Sequence, residues 1–316
     1  MGRVAAIDCG TNSIRLLVAD VGRSGDGTTL RDVHREMRIV RLGQGVDATG
    51  MLADEAIERT RAALADYTAV LRRRGAERVR MVATSATRDA GNRDAFTAMV
   101  RETLGVEPEV ITGDEEARLS FTGAVGDQDP ADGPFLVVDL GGGSTELVLG
   151  EWDGGTATVT AARSVDIGCV RITERCLRSD PPAAAEVREA ERLTRAVLDE
   201  AFAVVPVAKA RTWIGVAGTM TTLSAVSMRL PAYDPDVLHL SRMSVDQVHA
   251  VTADLLGRTY EQRAADPVMH PGRVDVIGGG ALVVRVLADE LRARAGIEEL
   301  VVSEHDILDG IALSVA

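Results

Sequence analysis

Two stretches of this chain share one pattern of apolar and polar positions. AIDCGTNSIRLLVAD at 6–20 and VVDLGGGSTELVLG at 137–150 each run as a short apolar segment, a carboxylate, a turn rich in glycine and hydroxyls, and a second apolar segment. That order predicts a β-hairpin whose strands are buried and whose turn carries the polar groups. A single shift of 131 positions carries Asp8 to Asp139, Gly10 to Gly141, Ser13 to Ser144, Leu16 to Leu147 and Val18 to Leu149 without a gap. Chance explains so many matches poorly, so the hairpin reads as a duplication.

The stretches around the two copies alternate between strand and helix patterns. Residues 32–42 alternate apolar and polar and read as a strand, and 54–74 read as a helix stopped by Gly75. RVRMVAT at 78–84 is a predicted strand, 86–104 and 114–125 are predicted helices, and GDQDPADGP at 126–134 is a turn-rich connection. Beyond the second copy come a strand at 155–165, a charged helix at 183–203, and WIGVAGTMTTLSAV, a buried strand turning on Gly218 into a helix. Helices follow at 245–256 and 275–294, the second with three glycines at 278–280, and ELVVSEHDILDGIALSV closes the chain as a strand and a helix. Hairpins, strands and helices alternating in each half predict two α/β domains facing one another across a cleft.

Composition narrows the class. The 316 residues are 46% hydrophobic and 26% charged, as in an ordinary globular protein. A net charge of −13 disfavours a broadly cationic nucleic-acid binder or a membrane-surface binder, so any anionic ligand has to be met by local chemistry. The N-terminal stretch is too short and polar for a secretory signal, and no apolar run approaches the ~18 residues of a membrane span, so a cytoplasmic location is expected. Cys9, Cys169 and Cys176 form no CxxC pair and read as packed thiols. Lys209 is the only lysine, which excludes a GxxxxGK[ST] nucleotide loop. The five histidines, His34, His239, His249, His270 and His305, show no metal-ligand spacing and read as structural or surface residues.

The candidate chemistry lies in the duplicated turns. Glycine lets backbone come close to a ligand, and successive turn N–H groups with Ser and Thr hydroxyls make an anion-holding concavity. Two such cradles suggest a phosphate chain. Asp8 and Asp139, each ending a first strand, suit Mg2+, which is held by one or two carboxylates plus phosphate oxygens and water. Taken singly, either turn would also pass as an ordinary glycine-rich hairpin with an Asx-turn; the matched register is what favours the cradle.

With these stretches, ATSATRDAGN at 83–92, ITGDEEARLSF at 111–121 and VDVIGGGALV at 275–284, the sequence resembles the exopolyphosphatase/guanosine pentaphosphate phosphatase family, within the actin, sugar kinase and heat-shock ATPase superfamily. The resemblance implies two actin-like (ribonuclease H-like) domains facing a central cleft, without an extra C-terminal helical domain. The first would be 1–125 joined by the last helix, 305–316, and the second 126–304. It implies water attack on a terminal phosphorus, with Glu116 of DEEARL as base and Glu115 as its close neighbour. Asn12, Ser13, Arg88, Gly141, Gly142, Gly143, Ser144 and Thr145 would bind phosphate, and Asp8, Asp139 and Glu146 would hold Mg2+ or Mn2+. Arg88 is read as opening a helix, and Arg15, on the second hairpin strand, is read as solvated and left outside the site.

The expected substrate is inorganic polyphosphate, with guanosine pentaphosphate as the nearest alternative. A superfamily phosphotransferase or a silent phosphate-binding regulator are the readings from other classes. Long family members continue into a further helical region, whereas this sequence stops at Ala316, so short chains and distributive action are expected. A homodimer would extend the groove across two subunits.

Overall fold

A computed structural model describes residues 2–24 and 27–316, with the side chains of 23, 24 and 27 left aside. The chain divides into two units: residues 1–126, 153–157 and 306–316 form unit 1, and 127–152 with 158–305 form unit 2.

Unit 1 begins with the first hairpin, β1 (Arg3–Cys9) against β2 (Ser13–Ser24), extended by β3 (Gly27–Ile39). The predicted strand at 32–42 is thus the second half of a longer strand. Next come α1 (Val46–Thr49), α2 (Asp54–Arg74), β4 (Arg78–Ala83), α3 (Ser85–Asp89), α4 (Arg93–Leu104), β5 (Glu109–Val110) and α5 (Gly113–Val125). The sheet order is β3-β2-β1-β4-β5, antiparallel within the hairpins and parallel from β1 to β4 and from β4 to β5. Both faces are covered, which is why β1 is apolar at nearly every position. Ala5, Ile7 and Cys9 pack with Leu64, Tyr67 and Phe96 of α2 and α4, while Val4 and Ala6 pack with Ile307, Leu308 and Ile311 of the C-terminal helix, Ile307–Ser314.

The helix expected over 86–104 is instead two helices, α3 and α4, parted at residues 90–92. The Asn92 carboxamide accepts from the Leu52 N–H at 2.8 Å and donates to the Leu52 carbonyl at 2.9 Å, while the Gly91 N–H donates to the Gly50 carbonyl. Asparagine bonded in this way competes with helical backbone pairing. Arg88 therefore sits in the last turn of a short helix, where a positive charge suits the dipole, and not at a helix start.

Unit 2 repeats the plan with β6 (Phe135–Leu140), β7 (Thr145–Trp152), β8 (Ala157–Val165), α6 (Cys169–Cys176), α7 (Ala184–Phe202), β9 (Thr212–Val216), α8 (Ala217–Ser227), α9 (Pro235–Leu238), β10 (Arg242–Ser244), α10 (Val245–Gly257), α11 (Tyr260–Ala264), α12 (Ile277–Ala295) and β11 (Glu299–Val302). Its order is β10-β11-β9-β6-β7-β8. Apart from edge strand β10, it matches the order of unit 1 strand for strand, so the duplication seen in the hairpins extends to each whole sheet. Both are actin-like α/β units, and the C-terminal helix packs on the first. The turn between β9 and α8 is made by Ala217, at φ 72°, rather than by Gly218. Gly218 answers a different demand, because a Cβ there would lie 2.1 Å from Nη2 of Arg273.

Two helices of unit 1 touch through bare backbone. A Cβ on Gly123 of α5 would fall 1.8 Å from the Asp306 carbonyl oxygen, and one on Gly310 of the C-terminal helix 1.9 Å from the Leu119 carbonyl oxygen. No rotamer change relieves a clash with backbone, so Gly310→Ala is expected to destabilise the protein by about 3 kcal/mol or more. Gly126→Ala, at φ −59° with nothing near its Cβ position, should be neutral or stabilising by up to ~1 kcal/mol. Urea unfolding of both variants checks the contrast; equal stabilities would contradict the backbone contact.

Candidate active site

The hairpin register places residue pairs side by side. Asp8 stands directly opposite Arg15, and the shift of 131 puts Asp139 opposite Glu146 at the equivalent positions. Directly opposed residues of an antiparallel pair project to the same face. In the first hairpin, Oδ2 of Asp8 accepts from Nε of Arg15 at 3.0 Å and from Nη2 at 2.7 Å. Nη1 of Arg15 also pairs with Asp306, the N-cap of the C-terminal helix. Burial pushes the Asp8 carboxyl above the ordinary aspartate range, and the Arg15 charge opposes that rise. Arg15, expected to be solvated, is therefore a bridge between two buried carboxylates.

The second hairpin carries no such guanidinium on the facing strand. Asp139 and Glu146 are 6% and 1% exposed, and the Ser164 hydroxyl donates to Oε1 of Glu146 at 2.7 Å. Two buried carboxylates on neighbouring strands repel unless a cation or proton intervenes. An all-oxygen donor set of this kind fits a hard divalent cation such as Mg2+ or Mn2+. Oδ2 of Asp8 already carries the Arg15 guanidinium, which makes that oxygen less available to a metal.

Each turn is held by its own bonds. The Gly10 N–H donates to the Ser13 carbonyl, the Thr11 and Ser85 hydroxyls meet at 2.8 Å, and the Asn12 carbonyl accepts from the N–H groups of Val40 and Arg41. In unit 2, the Gly141 N–H donates to the Ser144 carbonyl at 3.1 Å. The start of α6 clamps the loop: the Cys169 N–H donates to the Gly141 carbonyl, those of Val170 and Arg171 to the Gly142 carbonyl, and Nε of Arg171 to the Gly143 carbonyl at 2.8 Å. Gly168 permits this approach, since a Cβ there would be 2.4 Å from the Gly142 carbonyl carbon. The loop's carbonyls are thus bonded away from its inner side. Thr145 contributes to this framing rather than to a ligand surface, because its buried hydroxyl donates to the Ile167 carbonyl at 2.7 Å. Helix α6 and Arg171 formed no part of the sequence expectation; an Arg two residues into a short helix gives no recognisable signal.

The paired glutamates of α5 separate clearly. Glu115 has a 44% exposed side chain, and its Oε1 lies 2.7 Å from Nη2 of Arg80. Glu116 is buried, and its Oε2 accepts from Nη1 of Arg88 at 3.1 Å, while the same Arg88 nitrogen donates to the Ile111 carbonyl at 3.0 Å. Thr112 caps the helix by accepting from the Glu115 N–H. A carboxylate held in place in this way is positioned to accept a proton.

The Ppx/GppA phosphatase family model matches residues 18–315. The chain belongs to that family. It is 62% identical over 319 aligned residues to Exopolyphosphatase 2 of Mycobacterium tuberculosis, covering 99% of this chain and 98% of that protein. A Guanosine-5'-triphosphate,3'-diphosphate pyrophosphatase of Pseudoalteromonas translucida is 32% identical over 82% of this chain and 51% of its own length. Among solved structures, an exopolyphosphatase-like protein shares 46% identity at a TM-score of 0.94, covering 100% of this chain and 98% of its own. The Aquifex aeolicus family member shares 31% at 0.79, covering 99% and 97%. For a Ppx/GppA protein, a base in the DEEARL segment and a duplicated phosphate turn are the parts the sequence led one to expect; the Arg15 bridge was not among them.

His239 and His305, which the sequence reads as structural or surface residues, lie together with Asp127, their ring centroids 4.5 Å apart.

Arg15→Met leaves Asp8 and Asp306 buried without their shared cation, which should cost about 3 kcal/mol near pH 8. A carboxyl whose folded-state pKa is raised destabilises when ionised, and that loss disappears as pH falls toward its unfolded value near ~4. The deficit of Arg15→Met relative to the unsubstituted protein should therefore shrink between pH 8 and pH 5. Denaturant melts at both pH values test this, and a deficit that is flat or grows on acidification would contradict it.

Proposed function

We propose that this chain is an exopolyphosphatase that removes the terminal phosphate of inorganic polyphosphate. The single observation that carries the hydrolytic reading is the buried Glu116 carboxylate held beside Arg88, while its neighbour Glu115 is engaged by Arg80 at the surface. The choice of polyphosphate rests on the 62% identity to an exopolyphosphatase over nearly the full length of both chains.

In this reading Glu116 accepts a proton from water as the water oxygen bonds to the terminal phosphorus. The bond from that phosphorus to the bridging oxygen breaks, and the electron pair leaves with the shortened chain, releasing orthophosphate. Arg88 holds the base in place and can also meet a phosphate oxygen. The turn N–H groups around Gly141–Ser144 in unit 2 are suited to phosphate oxygens, and so, in unit 1, are the Asn12 and Ser13 side chains of the first turn. Asp139 and Glu146 would hold a Mg2+ or Mn2+ ion, which would supply neutralisation of phosphate charge. An overall charge of −13 supplies no field to retain a long polyanion, which favours short chains and release after each cut.

Glu116→Gln should lower kcat by about 10²–10⁴-fold with KM little changed, because the amide keeps the shape but cannot take the proton. Glu115→Gln should cost less than about threefold, as expected for an exposed ion-pair partner. The opposite ranking would reassign the base. Phosphate release from tripolyphosphate, long polyphosphate, guanosine pentaphosphate and ATP, measured in parallel with and without chelator, tests substrate and metal together. Tripolyphosphate should lead, chelator should abolish turnover, and a higher kcat/KM on guanosine pentaphosphate would replace polyphosphate as the substrate.

A further inference from the structure

Three side chains remote from one another in sequence meet in unit 2. Asp127 follows α5, His239 follows α9, and His305 follows β11. Nδ1 of His305 lies 2.6 Å from Oδ2 of Asp127, and Nε2 of His239 lies 3.4 Å from that same oxygen. The rings are tilted by 46°, and one donor atom from each residue lies within 4.8 Å of the other two. Ligands on a tetrahedral zinc ion stand roughly 3.4 Å apart, so seating an ion requires the 2.6 Å pair to open and any wider spacing to close, each by about an ångström. Two imidazoles and a carboxylate are a donor set for Zn2+ and its transition-metal neighbours, not for Mg2+. It is thus chemically distinct from the carboxylates of the second hairpin.

We propose that Asp127, His239 and His305 bind one Zn2+ ion that fastens the first residue of unit 2 to its last. Asp127 and His305 are the residues at which unit 2 begins and ends. An ion bound to both closes the loop of the whole unit, and it stabilises the folded chain because the unfolded chain offers no preformed site. Binding requires a proton shift on both rings. In the ion-free form each donates to Asp127, His305 from Nδ1 and His239 from Nε2, while Nδ1 of His239 accepts from the Glu304 N–H at 3.3 Å. On loading, each of these donor nitrogens releases its proton to solvent and each ring takes one up from solvent on its other nitrogen, for His239 at the loss of the long contact to Glu304. The fourth position is left to water.

The test uses the full chain, stripped with chelator and desalted, titrated with Zn2+ by calorimetry and with Co2+ by visible absorption. One equivalent of Zn2+ should bind the unsubstituted protein and the Asp139→Asn/Glu146→Gln variant alike, with a Co2+ spectrum of tetrahedral type and a rise in melting temperature. His239→Ala, His305→Gln and Asp127→Asn should each weaken binding by tenfold or more and remove the thermal shift. Asp127→Asn, nearly isosteric, guards against a His variant that fails to fold. Zn2+ affinity unchanged in the folded Asp127→Asn and His239→Ala variants, or no binding by the unsubstituted protein, would overturn the proposal. Neither result bears on polyphosphate hydrolysis, so failure here leaves the proposed activity standing.

Discussion

Unit 1 depends on a contact that involves no side chain. Helix α5 and the C-terminal helix meet at Gly123 and Gly310, with each glycine's missing Cβ replaced by a carbonyl of the other segment. Glu116 precedes Gly123 by seven residues, which puts the two on one stripe of α5. The rotation that brings Gly123 to the C-terminal helix therefore also turns Glu116 inward, and leaves Glu115, about 100° round the helix, at the surface with Arg80. Local propensity does not distinguish these glutamates. A backbone approach two turns away does.

The same contact fixes the first hairpin. Asp306 caps the C-terminal helix through the Leu308 N–H, and Asp309 returns the bond to the Asp306 N–H. Both carboxylates are claimed by arginines of the sheet, Asp306 by Arg15 of β2 and Asp309 by Arg35 of β3. Arg15 then reaches Asp8, so the helix cap and the carboxylate of the first turn share one guanidinium. Buried charges of this sort contribute little net stability, but each becomes costly once its partner is removed. They specify where the helix lies on the sheet more than how tightly it is held.

The sequence is most informative where physical chemistry is local. The duplicated hairpins are legible because strand, carboxylate and glycine turn fall within a dozen residues, and α2 is legible because Gly75 takes the left-handed C-cap at φ 68°. Residues decided by distant partners are not. The break between α3 and α4 depends on Leu52 answering Asn92 across 40 residues. Ala217 adopts a glycine-like conformation beside a real glycine, because Arg273 occupies the space at Gly218 while Ala217 has the strained backbone. His239 and His305 lack ligand spacing since the fold, not the chain, makes them neighbours. Glu116 became legible through its motif, while the physical reason for it lies in Gly310, nearly two hundred residues on.

The two hairpins also show what duplication leaves free to change. Strand order, register and the first glycine of the turn, Gly10 and Gly141, are common to both copies. Opposite the shared aspartate, however, one copy has Arg15 and the other Glu146, a difference of two charges at one position of an otherwise matched frame. The first turn thereby carries its own counter-ion and ties its aspartate to a helix cap. The second sets two carboxylates opposite one another on the strands that flank a loop whose Gly141, Gly142 and Gly143 carbonyls are bonded to α6. Two carboxylates so placed make an all-oxygen donor pair, the chemistry that suits a hard divalent cation, where the first hairpin has a carboxylate and a guanidinium.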